Sequence, residues 1–266
     1  MDIGIAGCGG RMGRMLVQAV LASEGVSLSG GVEQRGHEVI GRDVAELAGS
    51  PACGHRIEAD PEPLFERSDV VIDFTSPSAT AAHARLAACY RTALVVGTTG
   101  LGPEQNECLA AAAEAVPVVV AANMSVGINL LLGLTRQVAA ILGEDYDIEI
   151  VEMHHRHKVD APSGTALALG HAAAAGRGTS LDSVSQRVRD GQIGSRTSGT
   201  IGFATLRGGD VVGEHTVIFA GEGERIELSH RATSRTVFAQ GAVRAARWTA
   251  GRPAGLYSMR QVLGLE

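Results

Sequence analysis

The sequence predicts an α/β protein with a doubly wound parallel sheet in its first half and an α+β region with a mixed or antiparallel sheet in its second. Up to about residue 125, short apolar, β-branched runs alternate with helical stretches, which is typical of a parallel sheet covered on both faces. A glycine-rich turn directly follows the first of these runs. After residue 200, strand-like runs flank a Gly-Glu-Gly-Glu segment, which indicates a hairpin.

Length and composition bound the class of protein. With 266 residues, the chain is long enough for two domains, and we expect residues 1–125 with 236–266 to form one and residues 126–235 the other. The core has to be built from Ala, Val, Leu and Ile, because only 3% of the residues are aromatic. A net charge of -6 disfavours nucleic-acid and anionic-membrane partners. The cysteines contain no C-x-x-C pair and fit reduced thiols in the cytoplasm.

The first predicted strand, residues 3–6, leads into a glycine-rich turn and then into a helix predicted over residues 14–22. We expect a strand here rather than a signal peptide. A glycine turn between strand and helix lets the backbone approach a pyrophosphate and directs the helix N-terminus at it. The third glycine, Gly13, falls one position later than in the usual G-x-G-x-x-G pattern. The strand before it and the helix after it still favour a Rossmann-like dinucleotide-binding turn.

An acidic residue ends the second predicted strand, residues 26–32. Glu33 follows Gly13 by 20 positions, which is the spacing at which a carboxylate meets the adenosine ribose hydroxyls. The alternative interpretation is an ordinary surface residue at a strand end. Arg35 suits a 2′-phosphate instead, so the sequence favours NADH without excluding NADPH.

Three further apolar runs, at residues 70–74, 93–96 and 118–120, end in small polar residues. Ligands of such sheets bind at the carboxyl ends of the strands. Each of these residues alone is more often a turn residue, but together they predict a cofactor cleft: Thr75, Gly97, Thr98, Thr99 and Asn123. Residues 115–135 carry no charge, which raises the question of a transmembrane helix. Pro117 and three polar residues favour a buried strand, a polar turn and a helix instead.

The densest chemistry lies in residues 152–166, which read E-M-H-H-R-H-K-V-D-A-P-S-G-T-A. The preceding alternation, with Ile148 and Ile150 apolar and Glu152 polar, predicts a half-buried strand. An Ala/Leu-rich helix is predicted to follow, with Pro162 and Ser163 in its first turn and Asp160 or Ser163 as its N-cap. The stretch therefore combines a strand end, a charged loop and a helix N-terminus.

We interpret this stretch as the site of an anionic substrate. Free amides and hydroxyls at a helix N-terminus bind anions, and Arg156 and Lys158 add positive charge. Histidine and lysine also suit acid–base chemistry near neutral pH. A solvated basic loop, a nucleic-acid patch and a metal site are the alternatives. The metal site would use His154 and His157, but no H-E-x-x-H motif or cysteine pair accompanies them.

The second half is predicted to be loop first and sheet afterwards. Residues 176–200 are rich in Gly, Ser, Thr and Arg, and we expect a long mobile loop that is a candidate lid. Strands are predicted from residue 201, with a hairpin formed by residues 213–219 and 225–230. A helix over residues 238–248 and a last short element near residue 253 are expected to return to the first domain.

Five motifs resemble those of the 4-hydroxy-tetrahydrodipicolinate reductase (dihydrodipicolinate reductase) family, over nearly the full length of the chain. They are G-C-G-G-R-M-G-R at 7–14, D-F-T at 73–75, G-T-T-G at 97–100, H-H-R-H-K-V-D-A-P-S-G-T-A at 154–166 and G-E-H-T-V at 213–217. The fourth motif is highly specific, whereas the glycine turn alone is not. The resemblance implies NAD(P)H-dependent reduction of a cyclic, conjugated imine dicarboxylate in lysine and diaminopimelate biosynthesis. It also implies a homotetramer built through the C-terminal sheets.

The resemblance implies a role for each motif residue. His154 would be the general acid/base and Lys158 a proton donor, while substrate carboxylate would be held by His155, Ser163, Gly164 and Thr165. The dinucleotide would contact Gly7, Cys8, Gly9, Gly10, Arg11, Met12, Glu33, Gln34, Gly97, Thr98, Thr99, Ala121, Ala122, Asn123 and Met124. Gln34 stands where some members carry an arginine suited to the NADPH phosphate, so NADH and NADPH are both candidate cofactors. A nicotinamide-sensing protein without catalysis is the alternative, but it leaves the histidine cluster unexplained.

Overall fold

The computed structural model describes residues 1–265, and Glu266, the last residue of the segment predicted to return to the first domain, lies outside the described residues. The chain divides into two compact units. The first unit comprises Met1–Val126 and Arg235–Gly264, and the second comprises Gly127–Ser234 and Leu265.

The elements follow one another in the order that the apolar runs suggest. The strands are β1 (Asp2–Ala6), β2 (Ser27–Val32), β3 (Val70–Asp73), β4 (Ala93–Val96), β5 (Pro117–Val120), β6 (Asp147–His154), β7 (Ser185–Gln186), β8 (Ile201–Arg207), β9 (Gly213–Ala220), β10 (Arg225–Ala232) and β11 (Gly255–Ser258). The helices are α1 (Arg11–Leu21), α2 (Val44–Leu47), α3 (Glu62–Arg67), α4 (Pro77–Tyr90), α5 (Pro103–Ala113), α6 (Val126–Leu142), α7 (Gly164–Gly176), α8 (Leu181–Val184), α9 (Thr236–Trp248) and α10 (Met259–Val262). A 3₁₀ turn lies at Gly143–Asp145.

The first unit contains a six-stranded sheet in the order β11-β5-β4-β3-β1-β2, and all neighbouring strands run parallel. Strands β3 and β4 are buried along their whole length, because separate hydrophobic clusters cover the two faces of the sheet. The predicted Rossmann-like, doubly wound sheet is therefore confirmed. The chain reverses its direction of winding between β1 and β3, and such a switch point opens a crevice at the carboxyl ends of the strands.

The second unit contains a mixed five-stranded sheet in the order β10-β9-β6-β8-β7. Strand β6 runs antiparallel to β9 and parallel to β8. The predicted hairpin is confirmed, because β9 and β10 pair antiparallel. The registers place Glu152 opposite His215 on β9, and His154 opposite Arg207 on β8. These two pairings bring residues that are distant in the chain to one end of the sheet.

The structure corrects the face assigned to Glu152. The sequence alternation placed Glu152 among the polar positions of the predicted strand, opposite to the apolar Ile148 and Ile150. Burial alternates strictly along the strand, so Glu152 shares the buried face with Ile148 and Ile150, and Met153 lies on the other face. The physical reason is the two-residue period of a strand, which continues here without a bulge. A polar side chain at a buried position needs partners, and the site supplies them.

The segment between α7 and β8 is also more structured than predicted. It contains α8 and β7, and two of its arginines form ion pairs with carboxylates of β6. Arg189 forms two hydrogen bonds with Glu149, and Arg196 pairs with Asp147 and Glu149. The Gly/Ser/Thr-rich composition hid these anchors, because the partner carboxylates lie 40 to 49 residues earlier in the chain.

The uncharged stretch around residue 125 forms a strand, a turn and a helix, as the sequence predicted. Strand β5 ends at Val120 and α6 begins at Val126. Within the described residues, the span Val126–Asp145 satisfies the length and composition of a membrane-crossing helix, but core helices of soluble proteins satisfy the same criterion.

Candidate active site

The glycine turn of the first unit is built by close backbone approach. Gly10 is the N-cap of α1, so the helix begins at Arg11 rather than at residue 14. A Cβ atom on Gly13 would lie only 2.0 Å from the carbonyl oxygen of Gly7, so no side chain fits there. Gly13 therefore does what the third glycine of a dinucleotide-binding turn does, which is to let the helix lie close to the strand, although it comes one position late.

Glu33 supports this turn. Its Oε2 accepts a hydrogen bond from the Gly9 amide at 2.9 Å, and its Oε1 accepts one from the Gln34 amide at 2.9 Å. The carboxylate lines a cavity of about 600 Å³ at the switch point of the sheet, together with Gly7, Gly10, Gln34, Thr75, Ser76 and His83 among others. A carboxylate, a glycine turn and a helix N-terminus around one cavity fit the adenosine and pyrophosphate parts of a dinucleotide.

A buried carboxylate fixes the neighbouring strand ends. Asp73, at the end of β3, accepts hydrogen bonds from the hydroxyls of Thr75 at 2.5 Å and Thr98 at 3.3 Å. Its Oδ2 lies 3.0 Å from Nδ1 of His83, which is a buried residue of α4. The Thr75 amide in turn donates to Thr98. The loops after β3 and β4 are thus joined through the side chains of Asp73 and Thr98.

The other residues predicted to contact a dinucleotide differ in exposure. Gly10, Arg11, Thr99 and Ala122 are exposed, Met12, Ala121 and Asn123 are half-buried, and Cys8, Gly97 and Met124 are buried. The Met124 side chain belongs to the hydrophobic core, and its carbonyl oxygen lies against Gly241 of α9. Burial, reinforced by the charge of Glu33, raises the pKa of the Cys8 thiol to about 12.

The second unit brings a histidine and a carboxylate together at the end of β6. Nδ1 of His154 lies 2.5 Å from Oε2 of Glu152. Arg207 donates from its two terminal nitrogens to the two oxygens of Glu152, both at 2.8 Å. Burial alone would raise the pKa of Glu152, but the hydrogen bonds from Arg207, His154 and the Ser163 amide outweigh it and hold this pKa below its ordinary value.

His154 is poised as a neutral ring. Burial lowers its pKa below the ordinary histidine value, and the positive charges of Lys158 and Arg207 act in the same direction, against the opposing effect of Glu152. The ring of His215 stacks edge-on against that of His154 with centroids 5.1 Å apart. Burial, together with the nearby His154, lowers the pKa of His215 to about 4. A neutral imidazole beside lysine and arginine can accept or pass on a proton near neutral pH.

Ser163 is the N-cap of α7, whereas Asp160 and Pro162 lie before the helix and outside its first turn. The Ser163 hydroxyl accepts from the Ala166 amide at 3.1 Å and lies 3.1 Å from Nε2 of His215. Its amide donates to Glu152 at 3.0 Å. Ser163 is 2% exposed, so its polar groups serve the interior. Gly164 at the first helical position is exposed, and Thr165 is half-buried.

The basic loop lies against the turn between β8 and β9. The His155 amide donates to the carbonyl of Val211 at 2.7 Å, and the Arg156 amide donates to that of Gly209 at 3.2 Å. Lys158 forms an ion pair with Asp160 at 2.8 Å and keeps about a fifth of its side chain exposed. The structure therefore collects His154, His155, Lys158 and the start of α7 at one end of the sheet. Within residues 1–265, no group of three or more His, Cys, Asp or Glu side chains is arranged to hold a metal ion.

Sequence reasoning missed two residues of this cluster and misassigned a third. Arg207 and His215 lie on other strands, 55 positions after Glu152 and 52 positions after Ser163 respectively, and only the sheet register brings them in. The signal available for Glu152 was its phase in the strand, two positions after the buried Ile150. The signal for His215 was its place in the G-E-H-T-V motif.

The chain is similar to known proteins along its whole length. Residues 1–124 match the family model for the N-terminus of dihydrodipicolinate reductase, and residues 127–263 match the model for its C-terminus. It is 53% identical to 4-hydroxy-tetrahydrodipicolinate reductase of Magnetococcus marinus over 100% of this chain and 99% of the relative. It is 55% identical to the enzyme of that name from Ruegeria pomeroyi, covering 98% of this chain and 97% of the relative.

A solved structure agrees with these matches. The dipicolinate-bound dihydrodipicolinate reductase from Paenisporosarcina sp. TG-14 superposes with a TM-score of 0.78 at 26% identity, covering 97% of each chain. The diaminopimelate dehydrogenase of C. glutamicum, at 13% identity and a TM-score of 0.56, shares the fold alone. Family models for both termini and full-length relatives above 50% identity agree, and the chain therefore belongs to the dihydrodipicolinate reductase family.

Proposed function

We propose that this protein is a 4-hydroxy-tetrahydrodipicolinate reductase. It reduces 4-hydroxy-2,3,4,5-tetrahydrodipicolinate to tetrahydrodipicolinate with NADH or NADPH, in lysine and diaminopimelate biosynthesis. The observation that carries the proposal is the cluster at the end of β6. There His154 is held by Glu152 beside Lys158 and the capped N-terminus of α7, in a chain more than 50% identical to enzymes of that name.

The first unit holds the cofactor in this proposal. Glu33 would bind the adenosine ribose, and the amides of the glycine turn with the N-terminus of α1 would hold the pyrophosphate. The strand ends with Gly97, Thr98, Thr99 and the residues from Ala121 to Met124 line the rest of the cleft. A bound nicotinamide supplies the hydride of the reaction. Asp73 keeps the strand ends in position through its bonds to Thr75 and Thr98.

The second unit holds the dicarboxylate. Amides at the start of α7, from Gly164 and Thr165, attract one carboxylate, because a helix N-terminus carries partial positive charge. His155 and the Lys158 ammonium add donors and charge on the same side. Ser163 remains a proposed substrate contact, and its hydroxyl also caps the helix and lies 3.1 Å from Nε2 of His215. The cap holds the binding end of α7 in place.

The proton chemistry falls to His154 and Lys158. Conversion of the 4-hydroxy substrate to tetrahydrodipicolinate adds a hydride and a proton and releases the 4-hydroxyl group as water, so a proton donor has to stand near the ring. The lysine ammonium is always a donor, and the neutral His154 ring offers a lone pair that accepts or relays the proton. Removal of the Lys158 ammonium therefore takes away both a proton source and a partner for the substrate carboxylate.

Cofactor choice rests on residues 33–35. Glu33 favours a free ribose, which NADH has, while Arg35 suits the extra phosphate of NADPH, and Gln34 between them is neutral. We infer that both cofactors bind. Calorimetric titration of each should give dissociation constants within about tenfold of each other, which is a difference of about 1.4 kcal/mol. A gap of several orders of magnitude would exclude dual use.

Assembly as a homotetramer through the sheet of the second unit is part of the proposal. Leu206 on β8 and Ile226 on β10 are large apolar side chains that are 49% and 37% exposed, and an interface between copies would cover them. Light scattering at several protein concentrations tests it, since a monomer would remain at about 27.5 kDa. The free cysteines fit a reducing cytoplasm.

The deciding experiment is a coupled assay. Pyruvate, aspartate semialdehyde and the preceding synthase generate the substrate in place, and nicotinamide absorbance is followed with NADH and NADPH separately. Consumption that needs both the synthase and this protein supports the reductase and ranks the cofactors. If cofactor binds but none is consumed, a nicotinamide-sensing role becomes the better hypothesis.

A further inference from the structure

One buried carboxylate joins the acid–base histidine to the anion-binding helix. Glu152 is 1% exposed and touches both His154 and the backbone of Ser163, which caps α7. We propose that Glu152, locked by Arg207, is a positioning residue that fixes the tautomer of His154 and its placement relative to the N-terminus of α7. This inference deepens the proposed reductase function and rests on it only for the effect on turnover.

The hydrogen-bond geometry determines which nitrogen of His154 carries the proton. An ionised carboxylate only accepts hydrogen bonds and has about four lone-pair sites. Oε1 of Glu152 accepts from the Ser163 amide and one Arg207 nitrogen, and Oε2 accepts from the other Arg207 nitrogen and faces Nδ1 of His154. Amide and guanidinium groups cannot accept in return. The proton of the neutral ring therefore lies on Nδ1, and the lone pair lies on Nε2.

Arg207 keeps this arrangement in a single orientation. Its fork reaches both oxygens of Glu152, and the same side chain also donates to the carbonyls of Asp160 at 2.8 Å and Leu206 at 2.6 Å. A bidentate arginine–carboxylate pair is strong and directional. It also keeps Glu152 ionised, consistent with the lowered pKa of that carboxyl. Arg207 thus positions His154 through Glu152, and its charge also lowers the pKa of the ring.

A glycine lies on the far side of the ring. A Cβ atom on Gly213 would lie 3.0 Å from Nε2 of His154, closer than nearly all real contacts, so glycine leaves room beside the reactive nitrogen. Nδ1 is anchored while Nε2 has space, which is the asymmetry that a proton-transferring histidine needs. The hydrogen bond from the Ser163 amide then sets how far Nε2 lies from the start of α7.

The test compares two glutamates of the same strand. Glu152→Gln keeps the size of the side chain and removes its charge. Glu149→Gln is the matched control, because Glu149 also lies on β6 and is paired with two arginines, Arg189 and Arg196, but contacts neither His154 nor α7. We expect Glu152→Gln to lower kcat by about 10–10³-fold, as loss of a histidine-orienting carboxylate does, with Glu149→Gln near wild type. The pH profile of kcat should shift only in Glu152→Gln.

A direct readout is independent of turnover. Nitrogen-15 NMR of the histidine rings reports which nitrogen of His154 is protonated, and it works whether or not the reductase assay succeeds. Wild type should show the Nδ1-H form, and Glu152→Gln should show a mixture of tautomers, because an amide can face the ring with either its oxygen or its nitrogen. If the tautomer of His154 is unchanged in a folded Glu152→Gln protein, the positioning role is overturned.

A second variant covers the case in which Glu152→Gln does not fold. Arg207→Lys keeps a positive charge but loses the two-pronged contact, so it should retain the Nδ1-H form with a smaller loss of kcat. Loss of kcat in Arg207→Lys as large as in His154→Gln, with the tautomer intact, would instead assign Arg207 a direct contact with the substrate. A wild-type protein that shows the Nδ1-H form and no turnover would leave the tautomer assignment standing and count against the reductase function.

Discussion

Each of the two units contains one buried carboxylate–histidine pair at or near the end of a strand. In the first unit, Oδ2 of Asp73 lies 3.0 Å from Nδ1 of His83, and in the second, Oε2 of Glu152 lies 2.5 Å from Nδ1 of His154. Both carboxylates end or nearly end a strand, and both are at most 1% exposed. The residue types and the histidine nitrogen are the same, so the pair itself does not decide what each one does.

The surroundings separate the two pairs. Asp73 also accepts from the hydroxyls of Thr75 and Thr98, and the ring of His83 is held on α4 with its centroid 5.7 Å from that of Phe65. Glu152 instead receives the fork of Arg207, and Gly213 leaves space for a methyl group beside Nε2 of its histidine. We therefore propose that the first pair braces the backbone of the binding cleft and that the second holds a ring nitrogen for proton transfer. The fixed positive charge behind the carboxylate distinguishes the second pair from the first.

The largest expected difference between the pairs is in turnover. His154→Gln should lower kcat by ~10²–10⁴-fold, the usual scale for a general acid/base, with little change in cofactor affinity. His83→Gln, the matched change in the other pair, should keep kcat within about tenfold at saturating cofactor, since His83 only braces the cleft. The coupled assay measures both, and calorimetry measures cofactor binding. Equal losses of kcat in the two variants would abolish the distinction drawn between the pairs.

The second pair should also make stability depend on pH. Burial beside His154 lowers the pKa of His215 from its ordinary value of 6.5, which applies to the unfolded chain, to about 4 in the folded protein. Between these values the unfolded chain binds more protons, so the free energy of unfolding should fall as the pH drops from about 6.5 to about 4, by on the order of 3 kcal/mol. Above pH 6.5 this contribution is fully present.

Urea unfolding at pH 7, 6, 5 and 4.5 measures this decline. The lowered pKa values of His154 and Glu152 act with the same sign, so His215→Asn should flatten the decline without removing it. His171→Asn, a change at an exposed position of α7, is the control and should follow the wild-type curve. An unaltered slope in His215→Asn would mean that His215 is as accessible to protons in the folded protein as in the unfolded one.

In the first pair, the expected effect is on stability and on cofactor affinity. Asp73→Asn leaves one of the surrounding donors without an acceptor, which should lower the free energy of unfolding by about 1–3 kcal/mol. The loops that carry Thr75 and Thr98 lose their common anchor, so the KM for cofactor should rise while kcat at saturation is kept. Urea unfolding and steady-state kinetics give the two quantities. A kcat loss at saturating cofactor would place Asp73 in the chemistry instead.

The smallest expected effect concerns the space between Gly213 and Nε2 of His154. Gly213→Ala puts a methyl group 3.0 Å from Nε2, and the neighbouring ring has to move by a few tenths of an ångström. We expect kcat to fall by about tenfold, since small misplacements of a catalytic group cost that much or more. Gly133→Ala on α6 is the control, because its new Cβ would meet nothing closer than 4.0 Å. Wild-type kcat in Gly213→Ala would show that the space beside Nε2 is not needed.

Much of the fold was readable from the sequence, because β4 and β5 are continuous apolar runs and a glycine-rich turn follows β1. The strands 93–96 and 70–73 came out within one residue of their predicted ends. The site motif was readable too, since its histidines, lysine and helix cap all fall within residues 154–163. Functional residues that lie close together in the chain can therefore be recognised from a single segment.

The supporting partners could not be read in this way. Arg207 meets Glu152 only because β8 lies parallel to β6 in one register, and His83 meets Asp73 only through the phase of α4. Glu152 was assigned to the wrong face because its polarity outweighed its position in the alternation. Arg189 and Arg196 were counted only among the residues that predicted a mobile loop, although their carboxylate partners lie on β6. Each of these contacts depends on the pairing of elements, which no single segment encodes.

The register of β6 against β8 has a consequence for how the enzyme matures. His154 and Arg207 are direct partners across this pair, and side chains alternate between faces with a period of two. A slip of one residue would turn Arg207 to the opposite face and leave Glu152 buried without its cation. During refolding, molecules with a misaligned sheet would regain circular dichroism but no turnover. Recovered turnover therefore reports the fraction of molecules with the correct strand register. A delay of turnover behind the circular dichroism signal would indicate that the strands first pair out of register.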